Sequence, residues 1–220
     1  KLAAIESEWE TQAAPASFTL FGIPNQTEMR TDYAIKIPYA LGLIATRSTT
    51  EQVTGIQDLM RQHEIRIRNG MHAYRDLEQL RAGERSLKVL TSFEKNQKDL
   101  GYGLLLKKYA PNVVDASEAE IKMAVKDSIP NVKALFFSFR AMVAAGMLML
   151  LLFILAAWAV AKRNAENKPW LLKFALFALP LPWIAAQTGW YVAEGGRQPW
   201  TIGEVLPTHL SASTLTSHDV

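Results

Sequence analysis

The sequence predicts an all-α membrane protein: a helical extracytoplasmic loop region followed by two transmembrane helices, part of a larger helical bundle. Two long apolar runs lie in the second half, Ala141 to Ala161 and Trp170 to about Ala193. A polar, charged stretch with helical spacing precedes them, and the short basic linker KRNAENK, Lys162 to Lys168, separates them. The mean hydropathy of +0.01 averages over these two unlike halves. The expected divisions are a loop region at 1–133, a transmembrane helix at 134–161, a cytoplasmic loop at 162–169, a second transmembrane helix at 170–194 and an extracytoplasmic tail at 195–220.

Lys1 to Trp9 reads as a short helix with Leu2, Ile5 and Trp9 on one side. From Ala14 to Asn25, Pro15, Gly22 and Pro24 punctuate an aromatic and apolar stretch that reads as a loop. Tyr33 to Leu43 alternates around Pro38, which argues against one regular element. Thr49 or Thr50 is the expected cap of a long amphipathic helix from Glu51 to Arg81, with Ile56, Leu59, Ile67, Met71, Tyr74 and Leu77 near helical spacing. A second helix is expected from Ser86 to Tyr109, and a third from Ser117 to Ser128, ended by Pro130.

Ala141 to Ala161 is uncharged and long enough to cross a bilayer at ~1.5 Å per residue. The second run carries Pro180 and Pro182 in its middle and should kink there, because each proline removes a backbone donor. Three basic residues in the linker orient it to the cytoplasm by the positive-inside rule, which sends the long polar region and the end of the second run to the other side.

Composition excludes several classes. Lys and Arg total 24 against 21 Asp and Glu, interspersed without a basic stripe, which argues against nucleic-acid binding. With no cysteine there are no disulfides, iron–sulfur clusters or thiolate haem ligands. Lys1 opens the chain without methionine inside a helical pattern, and a piece of a longer polypeptide is expected.

The most demanding stretch is GWYVAEGGRQPW, Gly189 to Trp200. Glu194 shares a helix face with Trp190, four residues earlier, and Arg197 follows by three. Gly195-Gly196 should end the helix through a positive φ. Glu194 then sits at the negative end of the helix dipole and needs a cation beside it, either Arg197 or a metal-bearing cofactor.

GWYVAEGGRQPW followed by TIGEVLP resembles the signature of subunit I of the cytochrome bd-type quinol oxidases. KLAAIESEWET, FTLFGIPNQ, RIRNGMHAY and GYGLLLKKY resemble the periplasmic quinol-binding loop of the same subunit, so the likeness runs through the whole chain. It implies a bacterial inner-membrane terminal oxidase that oxidises ubiquinol or menaquinol, reduces dioxygen to water and contributes to the proton gradient. The implied cofactors are a low-spin haem b, a high-spin haem b and haem d (cis-heme d). The implied partners are quinol, dioxygen, the lipid bilayer, subunit II and small subunits.

By this resemblance Lys1 and Glu6 match the quinol-binding lysine and glutamate; read alone they are a solvated pair at an i, i+5 spacing that a substrate would have to bridge. Met142 matches the axial ligand of the low-spin haem b, although a methionine in an apolar helix ordinarily just packs. Arg140 matches an arginine near that haem, with an interfacial arginine as the plainer reading. Glu194 matches the axial ligand of the high-spin haem b, with Arg197 serving propionates or a proton path. Trp190 is a pocket residue or an interfacial anchor. The family pattern has a larger residue where this chain has Gly195, which is expected to loosen the turn. None of His63, His72, His209 and His218 lies in an apolar run, so none is assigned to iron; the family's ligating histidines belong upstream. This stretch alone is not expected to be active. The rival from another class is a non-redox two-span protein whose polar region is a periplasmic binding or assembly module.

Overall fold

A computed structural model describes residues 1–45, 52–163 and 167–211 of the chain. The predicted caps Thr49 and Thr50, together with Glu51 and His218, lie outside the described residues. The fold is predominantly helical as the sequence predicts, and it adds two antiparallel hairpins that the sequence reading does not contain.

Helix α1 (Leu2–Glu6) is shorter than predicted, because Ser7 adopts a left-handed conformation at φ 51° and turns the chain. Five residues cannot sustain a helix alone. Its stability comes from packing: Ala3, Ala4, Ile5 and then Trp9 are all buried, whereas Leu2 is exposed. The expected loop that follows is instead strand β1 (Phe18–Asn25), paired with β2 (Arg30–Ile37). The register runs from Phe18 opposite Ile37 to Asn25 opposite Arg30, with irregularities on either side of Phe21. Asn25 Oδ1 accepts from the amides of Thr27 and Glu28, each at 3.1 Å, and this fixes the turn. Trp9 Nε1 donates to Thr31 Oγ1 at 2.9 Å, tying the hairpin to the end of α1.

Short helix α2 (Ala40–Ala45) leads towards α3 (Ile56–Arg81). Among the described residues no side chain caps α3. The amides of Ile56 and Gln57 bond instead to the carbonyls of Glu8 and Trp9 at 2.8 and 2.9 Å. Gly55 is needed for this approach, since a Cβ there would lie 2.2 Å from the Glu10 carbonyl carbon. The predicted second helix is broken into α4 (Leu87–Asn96) and α5 (Leu100–Leu104), separated and followed by single 3-10 turns. Helix α6 (Glu118–Asp127) matches its prediction and starts with a capping box between Ser117 and Glu120.

Helix α7 (Val132–Ala161) is 30 residues long, about 45 Å at 1.5 Å per residue. That exceeds a hydrocarbon core of ~30 Å. Its first turns therefore project into the polar region, where Val132, Leu135 and Phe136 are fully buried. The second apolar run is not one kinked helix. It is α8 (Pro169–Phe177) and α9 (Leu181–Gly195), separated at Ala178–Pro180 where Pro180 and Pro182 withhold two donors. Both runs qualify by length and composition as membrane spans. After α9, β3 (Trp200–Ile202) and β4 (Leu206–Pro207) form the second hairpin.

Two buried clusters organise the polar region. One joins α3, α5, α6 and the tail through Ile67, Tyr102, Leu106, Ile121, Val125 and Trp200. The other joins α1, α3, α7 and α9 through Ala4, Ile5, Trp9, Ile56, Leu135 and Val192. At ~1.5–3 kcal/mol per fully buried large apolar side chain, the second cluster seats the short α1 on the ends of both apolar helices.

Candidate functional site

Glu6 is the last residue of α1 and Arg140 lies two turns into α7, 134 positions later. Arg140 Nη2 meets Glu6 Oε2 at 3.0 Å, with side chains 14% and 3% exposed. A carboxylate this deep needs a partner, and Arg140 supplies it. The guanidinium is saturated. Its other donors go to the carbonyls of Leu20 at 3.0 Å, of Ile5 and Phe136 at 3.1 Å each, and of Thr19. Five acceptors thus meet five N–H groups. The Phe136 ring lies 3.4 Å below the guanidinium carbon. Burial still dominates the Glu6 carboxyl and raises its pKa above the usual carboxylate range, against the pull of Arg140.

Lys1 does not join Glu6. Its ammonium donates to the Ala193 carbonyl at 3.2 Å, and its stem covers Gly196, where a Cβ would fall 2.9 Å from Lys1 Cε. The two residues predicted to share one substrate are thus engaged on different helices. Lys1 lies on the end of α9, and Glu6 on α7.

At that end of α9, Glu194 pairs with Arg197 at 3.4 Å, with side chains 42% and 52% exposed. Of the two partners the sequence left open, Arg197 is in contact here. The helix ends differently from expectation, because Gly196 has φ −73° and uses no left-handed turn. Glycine serves there because a Cβ would stand 2.6 Å from the Val192 carbonyl oxygen, which cannot swing aside, and against the Lys1 stem. Nor is the turn loosened at Gly195. The helix continues through it, and the Tyr191 ring fills the space, with its carbons 3.1–3.4 Å from where a Cβ would stand. Trp190 is 65% exposed on the same side of α9 as Glu194. Met142 lies between the two apolar helices, with Sδ 3.0 Å from the Cβ position of Gly189. Glycine at 189 is what lets the thioether lie against α9.

Sequence reasoning missed a second group of polar residues. Arg66 on α3 bonds Asp99 at 2.7 Å, the Tyr102 hydroxyl at 3.2 Å and Glu204 at 3.0 Å, and stacks on the Tyr102 ring at 4.1 Å. Its partner Glu204 is held below the usual carboxylate range by that bond. Beside it His63 bonds Ser128 Oγ at 2.8 Å. Burial and the nearby Arg66 charge push the imidazole down to about 4. His63, Glu204, Lys1 and Arg197 all line one cavity of about 280 Å³ between the polar region and the tail. The TIGEVLP and GYGLLLKKY segments hold Glu204 and Tyr102, but spacing alone gives no sign that they meet. Among the described residues no group of three or more His, Cys, Asp or Glu could hold a metal ion by itself.

A polar region packed on the ends of two apolar runs long enough to cross a bilayer, with a buried charge pair at the seam, marks a membrane-spanning protein. The chain belongs to the cytochrome bd terminal oxidase subunit I family, whose model matches residues 1–220. It is 41% identical over 217 residues to the cytochrome bd-II ubiquinol oxidase subunit 1 of Escherichia coli (strain K12), covering 99% of this chain and 42% of that protein. It is 27% identical over 213 residues to the cytochrome bd ubiquinol oxidase subunit 1 of Bacillus subtilis (strain 168), covering 97% of this chain and 34% of that protein. The chain thus spans less than half the length of these relatives.

Proposed function

We propose that this chain is the quinol-loop and two-helix portion of a membrane-bound quinol:oxygen oxidoreductase in a bacterial inner membrane, with its polar region on the periplasmic side. The observation that carries the reading is the buried Glu6–Arg140 pair. It sets a carboxyl of raised proton affinity at the seam of loop and helix, against an arginine two residues before Met142. Quinol oxidation releases protons as well as electrons and needs such an acceptor. Both named relatives are ubiquinol oxidase subunits, which makes ubiquinol the favoured substrate.

In this reading Glu6 accepts a proton from a quinol hydroxyl, and Arg140 holds the carboxyl in place and stabilises the anion. With all five donors engaged on protein acceptors, Arg140 serves the site through Glu6 rather than through a haem propionate. Lys1, presented at the end of α9, binds the other side of the substrate. Met142 and Glu194 hold the low-spin and high-spin haems b. The donor chemistry fits: a soft thioether in an apolar cleft, and a partly exposed carboxylate with Arg197 beside it. Trp190 flanks the Glu194 side. When bound, the haems, haem d included, would supply the electron acceptors and the centre for reducing dioxygen to water. Subunit II, small subunits and the upstream part of subunit I complete the complex, and protons released on the loop side add to the proton gradient.

In the purified complete complex, haem absorption bands and quinol-dependent oxygen uptake are expected. Glu6→Ala should lower uptake about 10²-fold while leaving the bands in place. Met142→Leu should convert one haem from low-spin to high-spin. A complex without haem bands would instead favour a non-redox assembly module.

A further inference from the structure

A second buried carboxyl stands beside Glu6. Glu8 is 4% exposed and Glu6 2%. The ionised form of each raises the cost of ionising the other, and burial raises the pKa of both. Between them lies Thr19, itself 1% exposed. Its carbonyl accepts from Arg140, the partner of Glu6, and its hydroxyl donates to Glu8 Oε1 over a long 3.5 Å. The other Glu8 oxygen accepts from the Gln12 amide. From there Glu8 faces a polar pocket of about 330 Å³ between the Ser7–Gln12 segment and the β1–β2 hairpin. Exposed Glu10, Arg30 and Lys36 line that pocket. Arg30 is already paired with Glu28 and Asp32, and Lys36 is the cation that favours ionised Glu8.

We infer that Glu8 is the exit group for the quinol proton, taking it over from Glu6 and releasing it to solvent through this pocket. The inference rests on the quinol-oxidase reading. Two O–H bonds of the quinol break, and its two electrons pass to the haems of the proposed activity, leaving quinone. The two protons arrive on the Glu6 carboxylate in turn, each leaving by the same route before the next. Each then passes to the neighbouring Glu8 carboxylate, which restores Glu6 as an anion beside Arg140. Glu8 then yields it to water in the pocket, where Lys36 favours the returning negative charge. Glu6 thereby serves the substrate side and Glu8 the solvent side, so the site can reload without opening.

The test uses the complete oxidase with its haems. Glu8→Gln should cut quinol-driven oxygen uptake roughly 10²-fold and enlarge its solvent deuterium effect. Haem spectra should stay unchanged, as should uptake driven by an artificial one-electron donor that carries no quinol protons. Glu8→Asp should recover part of the loss. Lys36→Gln, on an exposed strand that tolerates change, should move the acid limb of the pH–turnover profile upward, because Glu8 then holds its proton more tightly. Unaltered quinol turnover and pH profile in Glu8→Gln, or an unmoved profile in Lys36→Gln, overturns the inference and leaves the Glu6 role standing. A wild-type complex that oxidises no quinol overturns both.

Discussion

At the scale of single residues, the informative contacts are those that leave an ionisable group far from water. Arg140→Gln would strip the cation from buried Glu6 and should cost about 3–5 kcal/mol. A lowered melting temperature of the complex would report it, and adding Glu6→Gln should recover much of the loss by removing the unpaired charge. A double variant no more stable than the single one would deny the pair this role. His63 makes a pH-dependent contribution with the opposite origin. Its folded pKa of about 4 lies below the ordinary 6.5, so above pH 6.5 the ring is neutral folded or unfolded. Between pH 6.5 and 4 only the unfolded chain takes the proton, and stability falls by up to about 3 kcal/mol as pH drops. Faster amide exchange around His63 and Ser128 at pH 5 than at pH 7, abolished in His63→Gln, is the expected result. Some of this was legible in sequence. The i, i+3 spacing alone brings Glu194 and Arg197 together, whereas Glu6 and Arg140 are 134 positions apart and no local pattern joins them.

Among the elements, those with strong periodicity or a cap read correctly. Helix α6 carries its capping box in the sequence, and the apolar runs of α7 and α8–α9 declare themselves by length. The β1–β2 hairpin did not, for physical reasons. Gly22 and Pro24 are loop signals that here sit inside a strand, and the alternation of Tyr33, Ile35 and Ile37 in β2 runs straight into Pro38 and buries no face, since nearly all of β2 is exposed. The start of α3 was misplaced because its cap is made by the distant carbonyls of Glu8 and Trp9 rather than by a neighbouring side chain. Packing of α3 on α5 depends on a glycine pair. A Cβ on Gly70 would stand 2.3 Å from the Gly103 amide nitrogen and 2.4 Å from the Asp99 carbonyl oxygen, both backbone atoms that cannot swing aside. Gly70→Ala should therefore force the two helices apart, at a cost of about 1–3 kcal/mol or more despite the better helix propensity of alanine. The thermal transition of the complex measures it, and a variant as stable as the parent would contradict the close crossing.

For the molecule as a whole, the division into a polar region and two apolar helices was plain from hydropathy, but the way they are joined was not. Helix α1 is the joint. Glu6 fastens one end of it to α7 through Arg140, and Lys1 fastens the other to the last turn of α9. A rigid link between two levers converts a change in their relative tilt into its own rotation. Bilayer-spanning helices tilt to match hydrocarbon thickness. Reconstituted into a series of lipids of increasing chain length, the complete oxidase should accordingly show a turnover maximum with quinol, while oxygen uptake from an artificial electron donor varies less. Equal dependence for both donors would mean that α1 transmits nothing. A maximum seen with quinol alone would make these five residues a gauge of membrane thickness.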